Sequence, residues 1–106
     1  MEVYKRTKIE VPDYNDSFVK FTTGGKQYQL RFTWNDTEQR WMFGVYNAIR
    51  EPIMQGVKVV PHFPLNLFCG SGELYGGIFA VFTDLDTIGR QDFNNGNATF
   101  AYVAVE

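Results

Sequence analysis

Residues 27–47 read QYQLRFTWNDTEQRWMFGVYN, two aromatic-rich runs joined by a short polar link. In the first run Tyr28, Leu30, Phe32 and Trp34 occupy even positions, while Gln27, Gln29, Arg31 and Thr33 occupy odd ones. A repeat of two places alternate side chains on opposite faces, so this is a strand with one face in a core and one in water. Asn35-Asp36-Thr37-Glu38 reads as a turn, and Trp41 to Tyr46 as the returning strand, with Trp41, Phe43 and Val45 on one face. Neither run contains a residue suited to catalysis, so the hairpin serves architecture.

Outward from the hairpin the same pattern continues. Phe18 to Phe21 reads as a short preceding strand, and Thr23-Gly24-Gly25-Lys26 supplies the positive φ that a tight hairpin needs. Asn47 to Pro52 is a second polar connection. Ile53 to Val60 is a further strand, with Gly56 at a bulge or a close backbone approach. This predicts an antiparallel meander of at least four strands, with residues 1–10 as an N-terminal arm or edge strand. Pro61 and Pro64 cannot sit inside a central strand, so residues 61–77 are expected to make a long irregular excursion, with Leu65, Leu67 and Phe68 tucked beneath it. Ile78 to Phe82 and Ala98 to Val105 read as two closing strands, separated by a polar loop from Asp84 to Asn97. No segment shows helical spacing with caps. The expectation is one all-β domain spanning residues 1–106, a small antiparallel β-sandwich or partly closed β-barrel.

Bulk properties narrow the function. A chain of 106 residues with 44% hydrophobic and 21% charged residues has the make-up of a single folded domain. A formal charge of −2 does not favour nucleic acid or an anionic membrane, both of which reward a basic surface. The lone Cys69 rules out an internal disulfide. MEVYKRTKIE has no apolar signal core, which leads to the expectation of a soluble chain, intracellular when made. Ten Phe, six Tyr and two Trp are unusually many rings, suited to a compact core or to contact with other proteins.

Candidates for chemistry are few. His62, the only histidine, lies in Pro-His-Phe-Pro without a local nucleophile and carboxylate, and reads as a loop or interface residue. Cys69 is the one thiol that could join it, but nothing nearby would lower its pKa. Asp84, Asp86 and Asp92 fall short of a calcium-loop pattern and read as a solvated loop with Arg90 as counter-charge. Gly70-Ser-Gly72 and Gly76-Gly77 lack the helix a phosphate cradle requires. No catalytic residue, metal site or cofactor is therefore expected. Aromatic strands also occur in OB-folds that stack single-stranded bases, and an OB-like nucleic-acid-binding domain is the alternative reading. Against it, Asp36 and Glu38 sit between Arg31 and Arg40 where a basic funnel would be needed.

The two closing strands differ from the hairpin. Ile78, Ala80 and Phe82 are apolar, and so are Phe79 and Val81 on the other face; Phe100 and Tyr102 oppose Ala101, Val103 and Val105. A two-layer domain buries one face of each strand, so the second face calls for cover, by the 61–77 excursion or by another chain.

The ordered motifs Phe18-Val19, Gly24-Gly25-Lys26-Gln27-Tyr28-Gln29-Leu30-Arg31-Phe32-Thr33-Trp34-Asn35, Trp41-Met42-Phe43-Gly44-Val45-Tyr46, Pro52-Ile53, Gly56-Val57, Pro64-Leu65, Gly72-Glu73-Leu74, Thr83-Asp84-Leu85-Asp86, Asp92-Phe93 and Ala98-Thr99-Phe100-Ala101-Tyr102-Val103 resemble the phage baseplate plug family, small proteins of contractile-tailed bacteriophages. The resemblance runs from about residue 10 to residue 105. It departs at Arg50-Glu51-Pro52, where family members often carry a glycine turn, and at Asp92-Phe93, where Asp-Leu-Gly is common. It implies a non-catalytic structural part of the virion tail baseplate, packed against hub and spike proteins in three-fold symmetric copies and made in the host cytoplasm, with neither nucleic acid nor membrane as partner. The residues expected to dock are Pro61, His62, Phe63 and Pro64 with Tyr75, and Val3 and Tyr4 of the Val3-Tyr4-Lys5-Arg6 arm, whose strand could extend a neighbour's sheet.

Overall fold

The computed structural model describes residues 4–23, 25–61 and 77–105, with the backbone alone for Tyr4, Lys5, Gly77, Ala104 and Val105. Seven strands form two antiparallel sheets: β1 (Tyr4–Ile9), β2 (Asp16–Thr23), β3 (Lys26–Asn35), β4 (Arg40–Asn47), β5 (Pro52–Lys58), β6 (Gly77–Thr83) and β7 (Ala98–Val105). One sheet has the order β2-β3-β4-β5, the expected meander, and the other β1-β7-β6. Among the described residues there is no helix, and no strand pairs across from one sheet to the other. Of the two architectures expected, the molecule is the sandwich.

The alternation read from residues 27–47 is the inner face of the larger sheet. Tyr28, Leu30 and Phe32 of β3 and Trp41, Phe43 and Val45 of β4 are buried. From the smaller sheet Phe79 and Val81 of β6 and Phe100 and Tyr102 of β7 come down onto them. Phe100 sits at the junction, its ring centroid 4.9 Å from those of Phe32 and Phe43 and 6.1 Å from that of Phe79. Each fully buried ring of this kind contributes roughly 1.5–3 kcal/mol from area alone, with tilted and edge-on contacts adding to it.

The turns hold their geometry by local hydrogen bonds. Thr23 and Lys26 face each other across the β2–β3 turn, where Gly25 takes φ 76°. In the β3–β4 turn Asn35 Oδ1 accepts from Glu38 N at 3.1 Å, and Gln39, at φ 54°, donates through Nε2 to the Asp36 carbonyl at 2.7 Å. The β4–β5 turn has no glycine. Arg50 adopts φ 64° there, braced by Asn47, whose Oδ1 accepts from Ile49 N at 3.1 Å and Glu51 N at 2.8 Å. A left-handed residue with a side chain costs about 1–2 kcal/mol, which the asparagine cap helps to offset.

Gly56 does mark a bulge. Val57 faces Phe43 and Met54 faces Val45, so Gln55 and Gly56 share the single position opposite Gly44, with Gly56 at φ 71°. The bulge presses backbone onto Gly44, where a Cβ would lie 3.1 Å from the Met54 carbonyl oxygen and 3.1 Å from the Tyr46 ring.

The 84–97 loop is polar in composition but closes the core at one end. Ile88 is buried, and the Phe93 ring packs 6.2 Å from Trp41 and 6.1 Å from Phe100. Asp92 braces it: its carboxylate accepts from Gly89 N and from Asn97 Nδ2 at 3.2 Å, and its carbonyl from Ala98 N at 3.0 Å. The loop clasps the β1–β2 link, with Gln91 Nε2 donating to Asp13 Oδ1 at 3.1 Å, Asn94 Nδ2 to the Val11 carbonyl at 2.9 Å and Arg90 Nε to Asn15 Oδ1 at 2.9 Å. Arg90 therefore does not serve as a counter-charge for the loop's own aspartates. Its Nη1 lies 2.9 Å from Asp13 Oδ1, off the hydrogen-bond axis, and its guanidinium covers the Trp41 ring at 5.1 Å.

Candidate functional site

The sandwich has two outer faces of opposite chemistry. On the larger sheet, β2 contributes Asp16, Phe18 and Lys20, β3 contributes Gln29, Arg31 and Thr33, and β4 contributes Met42 and Tyr46. Arg31 grips Asp16 with both limbs of its fork, Nε to Oδ1 at 2.9 Å and Nη2 to Oδ2 at 2.7 Å, and Thr33 Oγ1 adds a bond to Oδ1 at 3.2 Å. The hydrogen bond from Arg31 lowers the Asp16 pKa below its ordinary value, and the Asp16 carboxylate in turn raises that of Arg31. Phe18 lies between two guanidinium groups, 4.2 Å from Arg50 and 5.5 Å from Arg31, with Tyr46 edge-on at 5.4 Å. Arg50 is held over the ring by Gln29, whose Oε1 accepts from its Nε at 3.0 Å. Beside this cluster a shallow trough of about 480 Å³ opens above Gly44, lined also by Arg31, Met42, Tyr46 and Gln55. It is the dent left where the bulge requires a residue without a side chain.

The outer face of the smaller sheet is largely apolar on β6 and β7 and charged on β1. Across its strands Arg6, Val103 and Ile78 form one row, and Lys8, Ala101 and Ala80 the next. Ile78 is 37% and Phe82 41% exposed, while Ala101 is buried. Arg6 sets its guanidinium 4.9 Å from the Phe82 ring. This is the second face for which the alternation of β6 and β7 calls for cover, and part of it meets solvent.

Of the residues nominated for docking, Val3, His62, Phe63, Pro64 and Tyr75 lie outside the described residues, as do Cys69, the Leu65-Leu67-Phe68 group and the Gly70–Gly72 stretch. Tyr4 opens β1, opposite Val105 of β7. Pro61 sits in a turn and is buried. Asp84 and Asp86 are exposed, and Asp92 is committed to its loop. Among the described residues no group of three or more His, Cys, Asp or Glu could hold a metal ion. The rings that a base-stacking platform would require, Tyr28, Phe32, Trp41 and Phe43, are inside the sandwich and offer no open face.

What sequence reasoning missed on these faces is the Phe18–Arg50 stack. Its only signal was an apolar residue on the wetted side of β2, and its partner arrives from a turn thirty-odd positions away.

The family model for the cyanophage baseplate Pam3 plug gp18 matches residues 6–105. That span includes all but the first two residues of β1 and every later strand, so the chain belongs to this baseplate plug family. No curated protein matches it.

Proposed function

We propose, from membership in the baseplate plug family, that the chain is a non-catalytic building block of a contractile-tail baseplate that packs against the central hub and spike. It works in three-fold symmetric copies, in keeping with the symmetry of such hubs, and is made in the host cytoplasm before joining the virion. The family match over residues 6–105 carries this reading. The open apolar face of β6 and β7 supports it, because Ile78, Phe82 and Val103 offer a subunit the kind of surface that the core of an interface uses. The Pro61–Pro64 segment with Tyr75, and the Val3-Tyr4 arm at the start of β1, extend the proposed contact.

Mixing with the hub and spike proteins tests the reading by size-exclusion chromatography. The unaltered chain is expected to co-elute. Ile78→Ser with Phe82→Ser, or Phe63→Ala with Tyr75→Ala, is expected to weaken co-elution while leaving the melting transition cooperative. Failure of the unaltered chain to bind either partner would sink the hub-and-spike assignment; undiminished co-elution of a variant would remove that surface from it.

A further inference from the structure

The two edges of the larger sheet are unlike. β5 is blunted by Pro52, by two register shifts and by the left-handed Gly56, devices that discourage another strand from adding. β2 is an unbroken eight-residue edge, paired with β3 in one register throughout. The bond from Trp34 N to the Asn15 carbonyl fixes which groups are used: Asn15 and the odd residues of β2 exchange with β3, so the N–H and C=O groups of Asp16, Phe18, Lys20 and Thr22 point away from the sheet. Among the described residues no strand pairs with that edge.

Along that edge Asp16 and Lys20 carry opposite charges at equal distances on either side of Phe18. We infer that β2 pairs with β2 of a second copy of this chain, antiparallel about a two-fold axis at Phe18. In that register Phe18 faces Phe18, and Asp16 of each copy faces Lys20 of the other, a pair of opposite charges formed twice. Each facing pair exchanges both backbone bonds, which satisfies the outward groups of Asp16, Phe18 and Lys20. Asp16 and Lys20 are exposed, and Asp16 can accept a lysine while Arg31 holds it from the sheet side. The register also brings Tyr14, 67% exposed, beside Thr22 of the second copy. Moving the two-fold axis from Phe18 to Lys20, a shift of four residues, would instead set Lys20 against Lys20. The two stacks of Arg50, Phe18 and Arg31 then become neighbours across the axis. On a three-fold hub such pairs come as three dimers. The inference concerns the free chain and stands apart from the hub-and-spike reading.

Sedimentation equilibrium of the full chain across a wide concentration range tests it. The expected result is a reversible monomer–dimer equilibrium. Lys20→Glu replaces two attractions by two repulsions and is expected to weaken the dimer by roughly tenfold. Lys20→Pro removes an outward N–H that β3 does not use, and is expected to abolish the dimer without unfolding the monomer. Register is read in a Cys69→Ala background, where Phe18→Cys is expected to cross-link two copies on mild oxidation, because directly opposed strand residues meet the Cα spacing of a disulfide. Since that change also removes the ring between the arginines, Asp16→Cys with Lys20→Cys provides a second cross-link that spares it. A chain that stays monomeric to its solubility limit overturns the inference. So does a dimer indifferent to both Lys20 changes, or one cross-linked by neither cysteine variant. If only a segment of another protein protects the amides of residues 16–22 from exchange, the edge is used but not by a second copy, and the inference fails.

Discussion

The outer faces of the two sheets were made from similar strands and ended differently. On the larger sheet the exposed side is mostly polar, and Phe18, its apolar residue on the edge strand, has the guanidinium groups of Arg50 and Arg31 over its ring. On the smaller sheet Ile78 and Phe82 stand partly open, with Arg6 and Lys8 at the margin. The first face is finished by its own chain. The second keeps apolar side chains partly in water, the kind of surface that interfaces use.

Four substitutions probe this contrast. Phe100→Ala attacks what the sheets share, since the ring contacts Phe32, Phe43, Phe79 and Phe93 from below both faces. It should cost about 3–5 kcal/mol in a denaturant titration, a large part of the stability of a domain this size. A loss under about 1 kcal/mol would mean the sheets do not depend on one core. Gly44→Val attacks the larger sheet alone. Its added carbons meet the Met54 carbonyl and the Tyr46 ring, so about 1–3 kcal/mol should be lost in the same titration, and a neutral result would place the bulge elsewhere.

Asp16→Asn tests the charge lock on the polar face. The folded Asp16 has a lowered pKa, chiefly because Arg31 donates to it, so its contribution is complete above the unfolded value of about 3.9. That contribution disappears as pH falls from there through the folded value. Asp16 is about half exposed, so the effect should stay below about 1 kcal/mol at neutral pH. Thermal melts should show the variant losing less stability than the parent on acidification; equal losses would remove Asp16 from the acid response. Phe82→Ser, on the partly open face, should cost no more than about 0.5 kcal/mol including the lost Arg6 contact, while impairing assembly most. A larger loss in the isolated chain would show that this face is structural after all.

The hairpin was legible because its signal is local: alternate residues of β3 point inward, and the turn between Asn35 and Arg40 is short and polar. Gly56 was legible as an interruption within an apolar run. Gly44 was not, because what forbids a side chain there is the Met54 carbonyl arriving from another strand. Ile88 and Phe93 were hidden in a stretch rich in Asp, Asn and Gly, whose composition describes its outside and not the two side chains it sends into the core. β2 was read as four residues and extends over eight, since its polar flanks carry no alternation and are held only by pairing with β3. The candidate site was legible as a surplus, in that both faces of β6 and β7 are apolar. Alternation within a strand carries no signal for what supplies the cover, because that depends on surfaces elsewhere.

The clasp between the 84–97 loop and the β1–β2 link joins residues 75 to 83 positions apart. β1 likewise has β7 as its partner. On the ribosome, residues 4–13 therefore emerge long before the strand and loop that hold them, and wait until residues 90–105 have been made. The meander can assemble meanwhile, but its aromatic inner face stays without a lid. For this protein the interval of greatest danger from aggregation is the last stage of synthesis, and a chaperone that holds exposed rings would matter most then.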